Sequence, residues 1–422
     1  MHITRISLEN FRNYGTAQVE PSRSRNILIG DNAQGKSNFL EAIEYASTGS
    51  SDRILREAEL IRHGERSMRV NVSYLSEGMD EQISIDLKTR GEVKMSMEGE
   101  AGATPTEREI KINGVKQSSI RSLKRRLITV SFKSLDLNLL RGGPKYRRDW
   151  IDGVLSTLKP GHVSRLAQYQ KVVTQRNKLL RTISERGRVT VSDQDQLKVW
   201  DVQLARLAAE IIKERLELMR NILPEAERYH HKLSDSKERL SAEYAFKMKD
   251  QPSLEGSFTD GGEEEGDKIP PLSMTSLLNE DTAKIASLIV SHLKELRGEE
   301  IARKQTLIGP HRDDIRFYLN DASAVSFASQ GQQRSLVLSL KLAELKAVSA
   351  AINEEPVLLL DDVLAELDLT RQGYLMSLAG ANMQTFVTTT HVSGFRDEWL
   401  AGAKFLNVSE GQCAELKEPL PL

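Results

Sequence analysis

Residues Gly30-Asp31-Asn32-Ala33-Gln34-Gly35-Lys36-Ser37 fit the pattern G-x-x-x-x-G-K-[ST] without a gap. Glycines let successive backbone N–H groups close around phosphate oxygens, and the N-terminus of a following helix adds partial positive charge. In such a loop Lys36 is expected to reach the β- and γ-phosphates of a nucleotide and the Ser37 hydroxyl to ligate Mg²⁺. A second constellation, Val357-Leu358-Leu359-Leu360-Asp361-Asp362, is a continuous apolar run ending in two acids. Buried parallel strands read this way, and carboxylates at their C-terminal edge face a phosphate loop. Asp361 is then expected to hold Mg²⁺, through water, and Asp362 to act as general base for the attacking water. Together the two motifs predict a site for ATP and Mg²⁺.

Three further segments gain meaning from their order. Ser329-Gln330-Gly331-Gln332-Gln333-Arg334 precedes a helical stretch in which Leu336, Leu340, Ala343 and Ala347 share a face. Alone it is a helix cap that also favours an anion. Standing shortly before the Asp361 strand, it occupies the place of the signature motif of ABC-type ATPases, where Ser329, Gly331 and Gln332 would meet the γ-phosphate held by the opposite subunit. Ala365-Glu366-Leu367-Asp368 follows the acids as a D-loop does, with Asp368 as a nucleotide-site residue, and a β-rich run at 384–390 ends at His391, the place of a switch histidine. Almost three hundred residues separate the phosphate loop from Ser329. That insert is longer than a transporter motor carries and far shorter than that of a chromosome-maintenance protein.

The elements that must position these groups are legible as periodicities. Residues 1–10 alternate as a strand, 26–29 form a short run ending at Gly30, and 37–46 place Phe39, Leu40, Ile43 and Ala46 on one helical face. The stretch 68–112 alternates as antiparallel strands do, with a Gly- and Thr-rich loop at 98–106. Beyond about residue 119 the pattern turns helical: Leu166, Tyr169, Val173, Leu180 and Ile183 form one seam, and Leu197, Trp200, Leu204, Leu207, Ile211 and Leu218 another. A break at 184–193 joins them, which predicts an antiparallel helical arm of roughly 30–40 Å per helix at about 1.5 Å per residue. Residues 282–296 read as an amphipathic helix, and 250–267 as an acidic, solvated insertion. The expected fold is α/β, a head with a mixed sheet around the phosphate loop and an inserted helical lobe bearing a short arm. The expected division is 1–118, 119–305 and 306–422.

Composition narrows the partners. A net charge of −1 leaves nucleic-acid binding to a local basic patch. The best is Lys124-Arg125-Arg126, Lys133, Arg141, Lys145, Arg147 and Arg148, where Asp136 is the one acid. As a DNA surface it would track phosphates without sequence preference, and a solvated face or an ATP-sensing loop is the other reading. Cys413 is the single cysteine, so an internal disulfide and a cysteine-rich metal site are excluded. With no signal-peptide stretch and no run of roughly 20 apolar residues, the chain is read as cytosolic with no membrane partner.

Over nearly its full length the chain resembles the RecF family of bacterial recombinational-repair proteins. The residues that carry the resemblance are Leu8-Glu9-Asn10-Phe11-Arg12-Asn13-Tyr14, the phosphate loop, Arg141-Gly142-Gly143-Pro144 with Arg147-Arg148, Gly309-Pro310-His311-Arg312-Asp313-Asp314, the Ser329 motif, and Leu360-Asp361-Asp362 with Glu366-Leu367-Asp368. Ala33 stands where the family usually has Gly, and Ser37 where it often has Thr. The insertion 250–267 matches no family feature, and no glutamine stands out as the Q-loop residue. The resemblance implies a DNA-dependent ATPase with slow turnover that dimerises on ATP and binds duplex DNA near single-strand gaps. With RecO and RecR it would help load RecA in gap repair and replication restart. A nuclease sharing this head would need a further metal-dependent domain, and only about thirty residues follow His391. A DNA-bridging protein would need a longer coiled coil.

Overall fold

The computed structural model of the chain describes residues 1–89, 105–246, 278–364, 367–378, 382–392, 395 and 397–416. The acidic segment 250–267, most of the loop at 98–106, and Ala365 and Glu366 lie outside the described residues. Internal packing gives two units, Met1–Asp136 with Glu344–Leu422, and Leu137–Ala343.

The chain begins with the hairpin β1 (His2–Phe11) and β2 (Tyr14–Val19), and β3 (Arg25–Ile29) then leads through the phosphate loop into α1 (Lys36–Thr48). Strands β4 (Ser67–Ser76), β5 (Met79–Thr89), β6 (Thr106–Ile112) and β7 (Val115–Gln117) follow, then β8 (Thr129–Lys133). The second unit contributes α2 (Pro144–Leu158), α3 (Pro160–Arg186), α4 (Val191–Leu233) and β9 (Leu240–Ala245). It continues with α5 (Thr282–Glu295), α6 (Arg297–Arg303), β10 (Asp314–Leu319) and β11 (Ala322–Ser323). After α7 (Gln330–Ile352) come β12 (Val357–Asp361), α8 (Leu369–Leu378), β13 (Thr385–Thr389), β14 (Lys404–Ser409) and β15 (Gln412–Leu416).

The first unit holds two six-stranded sheets. One is antiparallel, in the order β2-β1-β4-β5-β6-β7, and the other runs β15-β14-β3-β13-β12-β8 with β14, β3, β13, β12 and β8 parallel. Helix α1 lies between them, and its Phe39, Leu40, Ile43 and Ala46 join one core with Ile6, Val70 and Ile85 of the first sheet and Leu28, Leu359 and Phe386 of the second. Each large side chain buried in this way contributes roughly 1.5–3 kcal/mol. The buried amide of Gln384 ties the sheets together: its Oε1 accepts from Ile3 N at 2.6 Å, and its Nε2 donates to Ile3 O at 2.9 Å.

In the second unit α3 and α4 form the expected antiparallel pair. The reversal is set by Gly187, left-handed at φ 71°, and by a capping box in which the Thr190 side chain and Asp193 cap one another. At 27 and 43 residues the helices are about 40 and 65 Å long, so the second exceeds the expected length. It runs on past Pro224 to Leu233. Arg176, fully buried, fixes the arm to α6 by donating to Asp201, Glu300 and Thr306.

Candidate nucleotide site

Three neighbouring parallel strands end together. β3 delivers Gly30, β13 delivers Thr388–His391, and β12 delivers Asp361 and Asp362, in the sheet order β3-β13-β12. The C-terminal ends of parallel strands are where open α/β sheets bind ligands. The residues expected from two distant motifs therefore meet at one edge.

The phosphate loop is shaped by backbone demands. A Cβ on Gly30 would lie 2.1 Å from Val408 O, so no larger residue fits there. Gly35 is left-handed at φ 117° and caps α1. Ala33 adopts φ 65°, a region that costs an L-residue roughly 1–2 kcal/mol. The loop is held from outside by its carbonyls. Gln34 O accepts from Asn13 Nδ2 at 2.8 Å and from Gly411 N at 3.2 Å, Gly35 O accepts from Tyr14 OH at 2.9 Å, and Gln34 Oε1 accepts from Glu410 N at 2.7 Å. With those acceptors taken by the two flanking hairpins, peptide N–H groups are what the loop can offer an anion. Lys36 is buried and donates through Nζ to Gly30 O at 2.7 Å and Asp31 O at 2.9 Å, so its charge lies over the loop. Asp31 and Asn32 are exposed at the rim.

Asp361 is hydrogen-bonded to Ser37 and to Thr388, whose Oγ1 lies 3.0 Å from Asp361 Oδ1. Burial raises its pKa, the hydrogen bonds from Ser37 and Thr388 oppose the rise, and the charge of Asp362 adds to it. Asp362 sits at φ 55°, left-handed, a conformation that Asp tolerates better than most residues. Its N donates to Thr388 Oγ1 at 2.8 Å, and its Oδ1 lies 3.3 Å from the same hydroxyl. Thr388, fully buried, thus bridges both acids. Sequence reasoning missed it, although a run of threonines before His391 on the strand beside the acids was the available signal. His391 is exposed at the end of β13, its Nδ1 2.8 Å from Thr390 Oγ1.

Behind Ser37 and Asp361 lies a small polar recess that includes Glu41, Glu44, Arg53 and Lys133. Arg12 makes a bidentate pair with Glu41, at 2.6 and 3.0 Å, and Ser51 donates to the same carboxylate. Lys133 binds Glu44 and Asp52, and although burial opposes its charge these carboxylates hold its pKa above the ordinary lysine value. This lysine, expected in a DNA-contacting cluster, is instead an internal cation at the end of β8.

Ser329 caps α7: its Oγ accepts from Gln332 N at 3.3 Å while Gln332 Oε1 accepts from Ser329 N at 2.7 Å, a capping box. Gln332 Nε2 also donates to Glu238 Oε1 at 2.8 Å. Gly331 follows within the helix. Asp368 caps α8, its Oδ1 accepting from Thr370 N and Arg371 N at 3.0 Å, and these bonds lower its pKa. Ser329, Gly331 and Gln332 belong to the unit Leu137–Ala343, and the phosphate loop to the other. Arg141 and Lys145 are exposed, bonded to Gln333 and Asp149. Arg147 is not a surface residue. It is 5% exposed, forms a bidentate pair with Asp314 at 2.7 and 2.9 Å, and donates to Leu139 O and Gly142 O. Arg148 is half-buried and donates to Asp313 O at 2.8 Å. The basic stretch looked continuous because a linear sequence does not show which cations have carboxylate and carbonyl partners far along the chain.

The RecF/RecN/SMC N-terminal domain family matches residues 2–407. The DNA replication and repair protein RecF of Gloeobacter violaceus is 37% identical over 420 residues, which cover 99% of this chain and 100% of that protein. The chain belongs to the RecF family. A second RecF relative, from Synechocystis, is 34% identical and covers 98% of both chains. A solved structure of the recombination mediator protein RecF with ATP, in the RecFOR pathway, matches with a TM-score of 0.80 at 28% identity, covering 98% of this chain and 97% of that one. The RecF fold has the ABC-type ATPase head expected from the motifs, and the family links this site to DNA replication and repair. Among the described residues no helix is long and apolar enough to cross a membrane.

Proposed function

We propose that the protein is a cytoplasmic ATP-driven dimerisation switch that binds duplex DNA beside single-strand gaps and, with RecO and RecR, helps load RecA. The observation that supports it best is the junction of β3, β13 and β12, which gathers Lys36, Ser37, Asp361, Asp362, Thr388 and His391 at one sheet edge. Loop N–H groups and Lys36 bind the phosphates, and Asp362 accepts the proton of the attacking water. Ser37 and Asp361 fit Mg²⁺, a hard cation that takes oxygen donors and completes its shell with phosphate and water. Ser37 and Asp361 would hold such an ion, which would neutralise charge on the phosphates.

Dimerisation rests on a different feature. A Cβ added to Gly331 would meet nothing within 4 Å, so nothing in this chain requires glycine at the first turn of α7. A glycine there leaves the turn open to a close approach from outside, and a helix N-terminus suits an anion such as the γ-phosphate of a second copy. Hydrolysis is then slow and stimulated by DNA, because it awaits the closed dimer. Sedimentation velocity with ATP or ADP tests the reading. Ser329→Arg and Gly331→Val should keep nucleotide binding and lose the ATP-dependent dimer. Anisotropy on gapped and fully duplex DNA should show binding with ATP and little with ADP. Equal binding in both nucleotides, or dimers that survive Ser329→Arg, would overturn it.

A further inference from the structure

The arm carries a groove with no part in the nucleotide site. It lies between α3 and α4, has a volume of about 590 Å³, and its floor is Val172, Leu207 and the half-buried Trp200. The sequence pattern places Trp200 in the seam between the two helices, whereas in the fold it is only half-buried and lines the groove. Val202, on the groove wall, is 61% exposed, and its neighbour Val199 is 57% exposed. Exposed valines scattered singly need no explanation, but two beside a tryptophan and a groove form a patch.

Spacing and charge say what fits. Lining positions on α3 fall at 168, 172 and 175, and on α4 at 200, 203 and 207. These are the three- and four-residue steps of one helical face, so two parallel rails flank the groove as they would flank a third helix. The lining includes Lys171 and Arg206 and no carboxylate. Among the described residues neither cation has an ion-pair partner. Helix α3 has no Asp or Glu before Glu185, and its Lys178 and Arg181 are exposed. A tryptophan with an arginine beside it, in a concave apolar setting, is the composition of an interface anchor. We infer that this groove is a docking surface for an amphipathic helix of a partner protein, its apolar stripe on Trp200 and Val202 and its flanking Asp and Glu residues on Lys171 and Arg206. A nucleic-acid strand would use the cations and the ring but would leave both valines in water.

The test is a selection of displayed 20-residue helical peptides, with flanking charges varied, on the full-length protein. Enriched peptides are then synthesised and measured by fluorescence anisotropy, with a dT20 oligonucleotide as the second probe. Enrichment of an apolar stripe flanked by acids is expected, with binding weakened at least tenfold by Val202→Asp and reduced by salt. Val202 is exposed, so that variant should fold, and circular dichroism melting checks that it does. A Lys171→Glu/Arg206→Glu variant should reject the acidic peptides and bind versions with Lys in place of the flanking acids. The inference is overturned if no helical peptide is enriched, if enriched peptides bind Val202→Asp equally well, or if dT20 alone loses binding in that variant.

Discussion

Asp362 and Thr388 make the sharpest residue-scale claim. Asn is as tolerant of the left-handed backbone as Asp, so Asp362→Asn removes the proton acceptor without adding strain, whereas Ala at φ 55° would add roughly 1–2 kcal/mol. Asp362→Asn should bind ATP with unchanged affinity, lose hydrolysis by at least about a hundredfold, and accumulate the ATP dimer. Hydrolysis at the native rate would remove Asp362 from the role of base. Thr388→Val tests the bridge. The methyl replaces a hydroxyl that accepts from Asp362 N, so a part-buried N–H loses its partner at a cost of about 1 kcal/mol. Turnover should fall on the order of tenfold while ATP affinity stays within about threefold, because the residue orients the acids and does not touch phosphate. Separate equilibrium-binding and single-turnover measurements distinguish the two effects. A loss confined to binding would show that Thr388 only supports the fold.

Two family segments are joined at the scale of elements. Arg147 and Arg148 of α2 reach the residues just before and at the start of β10, with Arg147 on Asp314 and Arg148 on Asp313 O. Tyr244 of β9 donates to Asp313 Oδ2 at 2.9 Å, and Arg215 of α4 donates to Pro310 O at 2.7 Å. The segment Gly309–Asp314 is thus a junction for α2, α4, β9 and β10. Removing one partner of a buried ion pair leaves the other charge uncompensated, which costs roughly 3–5 kcal/mol. Arg147→Ala should therefore lower the urea midpoint of unfolding strongly, and Asp314→Asn should do so less. Lys145→Ala, at an exposed site, should leave stability within about 0.5 kcal/mol. An Arg147→Ala protein with native stability and weakened DNA binding would return that residue to the DNA surface.

For the whole molecule, the buried His162 and the half-buried His311 give opposite pH signatures. Burial, with Arg312, Arg148 and Arg215 nearby, lowers the pKa of His311 from 6.5 to about 4. The neutral ring accepts from Tyr169 OH at Nδ1 (2.6 Å) and lies 3.3 Å from Thr306 O through Nε2. Because the folded pKa lies below the unfolded one, its stabilisation is complete above about pH 6.5 and is lost as pH falls toward about 4. A shift of that size is worth about 3–4 kcal/mol at most. His162 behaves the other way. Burial disfavours its charge, but hydrogen bonds to Asp152 and Glu214 outweigh burial and raise the pKa. Its contribution is complete below about pH 6.5 and fades as pH rises through the folded value. Unfolding free energy measured from pH 4 to 8 should therefore fall on the acid side with a slope that His311→Gln flattens. An unchanged slope in that variant would assign the acid loss to other groups.

The loop before the first helix, the strand ending in two acids, the helix cap at Ser329 and the helical arm were all legible in the sequence, because each depends on local rules. A glycine pattern, an apolar run ending in carboxylates and a seam at helical spacing constrain the chain over a few residues, whatever lies elsewhere. Only the tertiary structure decided the rest. It sets Thr388 between Asp361 and Asp362, makes Asn13, Tyr14 and Gly411 the outer supports of a loop far from Gly411 in sequence, and gives Lys133 and Arg147 internal carboxylate partners. The same cations that look like one basic surface along the chain are divided by the fold into buried and exposed ones. The physical reason is that a charge declares its role through its partner. The partners of these residues lie from 21 to nearly 400 positions away, beyond the reach of any local pattern.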